Sequence, residues 1–265
     1  MITVATFTAL INQLLPEPHA GLLAGILFGT KATLSRELVT ALTTTGTLHI
    51  VALSGMNITI LAGLVNMTLL RFINRRVASV VTIALIVGFI LFVGPSPSII
   101  RAGIMGGISL LAIVFGRQTW GLLSWILAVS IMLLLNPSWI TDLSFQLSAL
   151  ATLGMILFGG KTIEKTNFYW SLIRDDLRLT LAAQVFTIPL IFWYFHRMSL
   201  ISPLTNILIG WVMQPLTVFG LLAAFAGWIF LPLGQVIAWP AWALLQYVIV
   251  AVEWTARVPG ASVGW

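Results

Sequence analysis

The chain has 265 residues, 59% hydrophobic and only 8% charged, with a formal net charge of +6. Soluble domains carry about 25% charged residues, and a mean hydropathy of +1.06 over the whole length leaves too little polar surface for a water-soluble fold of this size. A soluble enzyme or binding module is therefore excluded in favour of an all-α polytopic membrane protein, and the absence of cysteine excludes disulfides, thiolate metal sites and a cysteine nucleophile.

In chain order, residues 2–15 predict a helix with a mild apolar face that lies at an interface rather than crossing. They lack the basic start and clean apolar core of a cleaved leader. Pro16 and Pro18 end this helix. Residues 20–29, AGLLAGILFG, are apolar but too short to cross, which predicts a re-entrant or buried half-helix. Gly21, Gly25 and Gly29 recur every fourth residue and permit close backbone approach on one face. Residues 34–45 predict a surface helix capped by Ser35.

Crossing the hydrocarbon takes about 20 apolar residues, because ~30 Å is covered at ~1.5 Å per helical residue. That ruler predicts spans at 47–70, 77–94, 99–115, 119–135, 143–159 and 177–195. Residues 199–231 contain Pro203 and Pro215 and are too long for one straight span, so a kinked or two-piece helix is expected. Residues 233–254 complete about eight spans, with Pro240 inside the last. The chain thus divides into interfacial and re-entrant helices over 1–46 and a transmembrane domain over 47–265. Arg71, Arg75, Arg76, Arg117, Lys161, Lys165, Arg174 and Arg178 fall on one face under strict alternation, while 95–98 and 136–142 carry no Lys or Arg. This places the 71–76 loop in the cytoplasm and both termini outside; Lys31, Arg36 and Arg197 are on the minority side. Trp120, Trp139, Trp170 and Trp254 fit interfacial anchors.

Polar groups interrupt these spans. On one continuous helix His49, Ser54 and Asn57 would share an arc of about 140°. Two readings stand: interhelical glue at ~0.6–1.7 kcal/mol per group, or a face toward a hydrated interior. Ser54-Gly55 would also loosen the helix. Arg101 sits near the start of the third span. It either snorkels to the interface or faces a watery cavity as a cation for an anion such as phosphate. Gly103 and Gly107 form a GxxxG that reads as tight packing. Asp142 reads as an N-cap and shares a face with Gln146. Gln184 lies mid-span before Pro189, and Asn206 follows Ser202-Pro203. Polar groups in five spans predict one shared interior cavity. No nucleophile–base pair, phosphate loop or metal-binding helix motif is present, so the expectation is a non-enzyme without cofactor or metal; His19 and His196 read as structural.

The stretches LPEPHAGLLAGILFGTK (15–31), TGTLHIVALSGMNITIL (45–61), PSIIRAGIMGGISLLAIVFGR (97–117), NPSWITDLSFQLSALATLG (136–154) and LRLTLAAQVFTIPLIFWYFHRMSLISPLTNILI (177–209) together resemble the membrane competence domain of the ComEC family of DNA-uptake proteins. The resemblance implies that 47–265 is a channel passing single-stranded DNA into the cytoplasm during natural transformation, in the bacterial cytoplasmic membrane. By position it carries over His49, Ser54 and Gly55 of an H…SG motif, and Arg101 of a PSxxRA motif. Phe145, Gln146 and Ser148 match FQLS, and Gln184, Pro203 and Asn206 match later polar positions. Asn57 stands where many relatives carry a second histidine. The resemblance also implies partners: single-stranded DNA, membrane lipid, OB-fold and nuclease domains that this chain lacks, and a cytoplasmic DNA-translocating motor. Arg101 would meet the phosphates, and Phe145 with some of the tryptophans would stack on bases. The residues alone leave a small-solute or ion transporter, or a scaffold in which every polar group is glue, as the alternatives.

Overall fold

The computed structural model describes residues 3–30, 34–51, 55–160 and 168–264. Ser54, Lys31, Lys161, Lys165 and the two terminal residues Met1 and Trp265 lie outside the described residues. Almost every element is helical, and the chain separates into two compact units.

The first unit is built on a short helix with no exposed face. Helix α1 (Val4–Leu14) is followed by α2 (His19–Phe28), all ten of whose residues are buried. A ten-residue apolar helix with no polar side gains most by being enclosed, which fits the expected buried half-helix. Of its three spaced glycines, Gly25 meets Val51, where a Cβ would lie 2.6 Å from the valine Cγ1. Gly29 has another job: at φ 72° it ends the helix in the left-handed region that side chains resist. Phe7 of α1 packs against Phe28 and Phe225 at centroid distances of 6.0 Å.

Helix α3 (Arg36–Thr44) starts as expected, with Ser35 Oγ accepting from the Leu38 N–H at 3.2 Å. Ser35→Ala is predicted to lose about 1 kcal/mol, read as a small drop in the thermal midpoint of the purified chain. Helices α10 (Ser202–Ile229) and α11 (Leu231–Ala256) form the long hairpin of this unit. The two-piece alternative for 199–231 is not what forms. Pro203 is in the first turn of α10, where its missing N–H costs nothing, and Pro215 is accommodated inside one 28-residue helix. A two-stranded antiparallel pair, β1 (Arg197–Ser199) with β2 (Ser262–Gly264), ties the start of α10 to the end of the chain.

The second unit contains α4 (Gly55–Leu69), α5 (Arg75–Val93), α6 (Pro97–Val114), α7 (Gly121–Leu135) and α8 (Leu143–Phe158). Residues 182–187 of α9 (Phe168–Phe195) also belong to it. The described α9 helix includes nine residues ahead of the predicted span. Helix α6 packs against α4, α5, α7 and α8. Only half of its GxxxG does the expected packing. A Cβ on Gly103 would lie 2.6 Å from Ile90 Cδ1, whereas nothing comes within 4 Å of one on Gly107. Asp142 caps α8 as expected, its Oδ1 accepting from the Phe145 N–H at 2.8 Å.

Five helices among the described residues are long and apolar enough to cross a membrane: α5, α6, residues 177–194 of α9, α10 and α11. Their outward surfaces are apolar. Leu91 of α5, Trp193 of α9, Ile229 of α10 and Trp239 of α11 are each at least 73% exposed. Water would penalise that surface at about 25 cal/mol per Å², and lipid does not. Together with the composition this makes the chain a membrane protein. Trp120 and Trp254 are exposed near helix ends, as anchors require.

Candidate functional site around Arg101

The first correction concerns His49. It does not continue into the helix that carries Asn57. Residues Leu48–Ile50 form a single 3-10 turn, and α4 begins at Gly55, so His49 and Asn57 share no helical face. His49 is exposed, with Nδ1 3.2 Å from the Gly46 carbonyl oxygen. Its turn rests on the start of α10: a Cβ on Gly46 would lie 3.0 Å from Ser202 Cβ and 3.1 Å from Ser199 Cβ. Asn206 of α10 donates to Ser202 Oγ at 3.4 Å. His49 and Asn206 are thus residues of the first unit, grouped about Gly46 and Ser202.

The other described positions belong to the second unit. Asn57 is buried in the first turn of α4, at 5% exposure. Phe145 is likewise buried at 6%, so its ring is core in this unit rather than an open platform for a base. Gln146 donates from Nε2 to the Ile140 carbonyl at 2.7 Å, bracing the 3-10 turn Pro137–Thr141, while its Oε1 is buried without a hydrogen-bond partner. Two residues along a helix is about 200° of rotation, which turns Gln146 away from the face of Ser148. Gln184 is half-buried on α9.

Arg101 does not snorkel. It lies in the second turn of α6, is only 9% exposed, and reaches across to α8. Its Nε donates to Ser148 Oγ at 3.0 Å, and its Nη1 donates to Thr152 Oγ1 and, weakly, to Met105 Sδ at 3.8 Å. The Thr152 hydroxyl sends its own proton back to the Ser148 carbonyl at 3.0 Å, so its lone pairs remain for the guanidinium. One turn closer to the start of both helices, Ser98 and Ser144 pair at 3.3 Å. Ser144, Ser148 and Thr152 are spaced i, i+4, i+8, which puts all three on one stripe of α8. Ser148 was identified from sequence; Thr152 was missed, although that spacing carries its signal.

Two donors of the guanidinium remain. An arginine has five N–H groups; three are spent, and neither N–H of Nη2 has an acceptor among the described residues. No carboxylate among them is paired with Arg101. Nη2 points toward the start of α4. There a Cβ built on Gly55 would lie 3.2 Å from Nη2 and 3.0 Å from Ala102 Cβ. The site is therefore a buried cation, oriented by two neutral hydroxyls, whose free edge faces a residue without a side chain.

A third buried polar group was read as isolated and is not. His19 of α2 pairs through Nε2 with Gln246 Oε1 of α11 at 2.7 Å, and its ring lies 5.5 Å from that of Trp242. That contact spans 227 residues of sequence, which no local pattern reveals.

No solved structure matches the chain. ComE operon protein 3 of Bacillus subtilis (strain 168) is 29% identical over 202 residues, covering 74% of this chain and 25% of that protein. The chain thus spans about a quarter of the length of this curated relative. A family profile described as Competence protein matches residues 26–265, a range that includes the second unit, the first unit from residue 26 on, the His49 turn and the whole Arg101 cluster. The chain belongs to the Competence protein family.

Proposed function

We propose that this chain forms a multi-pass path in the bacterial cytoplasmic membrane through which single-stranded DNA enters the cytoplasm during natural transformation. Family membership supports the setting. The observation that carries the reading is Arg101: a nine-tenths-buried guanidinium on a membrane-length helix, with no carboxylate paired to it among the described residues and two N–H groups unspent there. Burying a guanidinium without a counter-charge is costly, and an anion passing close to Nη2 offsets that cost as no lipid tail can.

About eight spans fit the helices. Besides the five long ones, α4, α7 and α8 are apolar at 15–16 residues. Exposed Arg71, Arg75, Arg76 and Arg117 at the α4–α5 and α6–α7 connections support a cytoplasmic side for those ends. There they meet the emerging strand by its phosphates. The chain itself is read as a conduit and not an enzyme. Strand capture, nuclease action and traction are assigned to OB-fold, nuclease and motor partners.

The test is replacement of the gene in a transformable strain, with labelled duplex DNA scored separately as surface-bound and as nuclease-resistant internal label. Expected is normal surface binding with internal label lost, restored by the wild-type gene. Unchanged internalisation would remove the reading. A transporter of small anions would use the same Nη2 edge, and it predicts a null strain that transforms normally but loses anion flux.

A further inference from the structure

We infer that Arg101 and Gly55 form a binding site for a single phosphate-type oxyanion, with Ser148 and Thr152 as its positioning residues. That the occupant in the cell is a phosphodiester of a DNA strand rests on the proposed function; oxyanion binding itself does not, and is measured separately.

The donor inventory leads to this assignment. Nε and Nη1 are committed to α8 and Met105, so the plane of the guanidinium is fixed and only Nη2 is presented. Both orienting groups are neutral hydroxyls. They hold the cation without cancelling its charge, which a carboxylate in their place would do. Thr152 is further locked as an acceptor by its bond to the Ser148 carbonyl.

Gly55 leaves Nη2 uncovered by a side chain. Any side chain there would begin 3.2 Å from Nη2, at the distance where an oxygen accepting from Nη2 would sit. Ala102 closes the other side at 3.0 Å, so a Cβ has nowhere to retreat. One presented nitrogen with two N–H groups engages one oxyanion, and so small a foothold suits a ligand that is held briefly and released.

The experiment uses the whole chain purified in neutral detergent, with inorganic phosphate as probe. Thermal midpoints are compared in phosphate and in chloride at matched ionic strength, since a ligand bound only by the folded state raises the midpoint. Expected is a phosphate-specific rise in the wild type, lost in Arg101→Ala and Gly55→Ala and reduced in the Ser148→Ala, Thr152→Val double variant. Should Gly55→Ala fail to fold, Arg101→Gln, which removes the charge but keeps much of the side-chain volume, carries the test beside Arg101→Ala, each read against its own midpoint in chloride. No rise in the wild type, or an equal rise in Arg101→Ala, overturns the site.

A second arm assigns the source, in phosphatidylcholine nanodiscs with a labelled oligothymidylate and its uncharged methylphosphonate counterpart. Arg101→Ala is expected to weaken the charged strand by about tenfold or more, the scale of one charge-assisted hydrogen bond, and to leave the uncharged strand unaffected. If phosphatidylglycerol nanodiscs reproduce the phosphate rise while the strand ignores Arg101→Ala, a lipid headgroup is the occupant and the strand is overturned. A phosphate rise that depends on Arg101, in a strain whose null mutant transforms normally, would sink the proposed function and leave the site standing.

Discussion

Gly154→Ala and Gly234→Ala are each expected to leave little folded protein. A Cβ on Gly154 would run into the carbonyl oxygen of Ala182, and the next two atoms it meets are backbone as well. One on Gly234 would run into Gly227 Cα and lie 2.6 Å from Gly227 N and 3.0 Å from Ala223 O. A flexible side-chain tip can rotate away from such an intruder; a helix backbone can only be displaced. Overpacking a well-filled contact costs about 1–3 kcal/mol, and more where backbone must move. The Gly227–Gly234 approach sets the α10–α11 hairpin, so its loss should disorganise the first unit, while Gly154 acts in the second. Gly107→Ala is the control: nothing lies within 4 Å of its Cβ, and replacing a mid-helix glycine by alanine is worth up to about 1 kcal/mol of stabilisation. The measurement is the monodisperse yield and thermal midpoint of the three variants in detergent. Equal midpoints for Gly154→Ala, Gly234→Ala and Gly107→Ala would mean that the helices are not in contact at these positions.

Arg101→Ala is expected to separate stability from function. Removing the side chain deletes a buried charge that no carboxylate compensates, and such deletions are neutral to stabilising when the groups left behind can satisfy themselves. Thr152 already donates to the Ser148 carbonyl, and serine in a helix commonly does the same to its own preceding turn. The thermal midpoint in chloride should therefore hold or rise. Internalised DNA should fall by about tenfold to a hundredfold, the range of one charge-assisted hydrogen bond, with surface-bound DNA unchanged. Arg101→Lys keeps the charge but not the fork. An ammonium has three donors on one atom and cannot bond both hydroxyls of α8 while presenting an edge toward Gly55, so an intermediate loss is expected. A destabilised Arg101→Ala whose transformation defect follows its abundance would show that the arginine is structural glue between α6 and α8.

The membrane class, most helices and their order were legible in the chain itself, and the reason is solvent. In lipid each backbone polar group must be satisfied within its own segment, so run length and hydropathy decide where helices form without reference to neighbours. Local caps were equally legible, since Ser35 and Asp142 each bond a backbone N–H three residues on. Where the reading failed, a local rule was extended past its range. Residues 47–70 are apolar enough for one span, yet Leu48–Ile50 form a 3-10 turn outside α4, and His49 left the face it was assigned. Prolines 203 and 215 left a two-piece helix open as the alternative to a kinked one, but one stands in a helix's first turn and the other sits inside a continuous helix.

Tertiary structure decided what each polar group does. Arg101 as a residue was visible in the sequence; its partners were not, because Ser148 and Thr152 lie 47 and 51 residues away and any of several spans offered hydroxyls. Which glycines are contact points and which face open space was equally invisible, since Gly103 and Gly107 are the same letter at one spacing. Hydropathy is a property of one segment against its solvent, whereas an accepted hydrogen bond or an excluded Cβ belongs to two segments at once. Only packing brings those together.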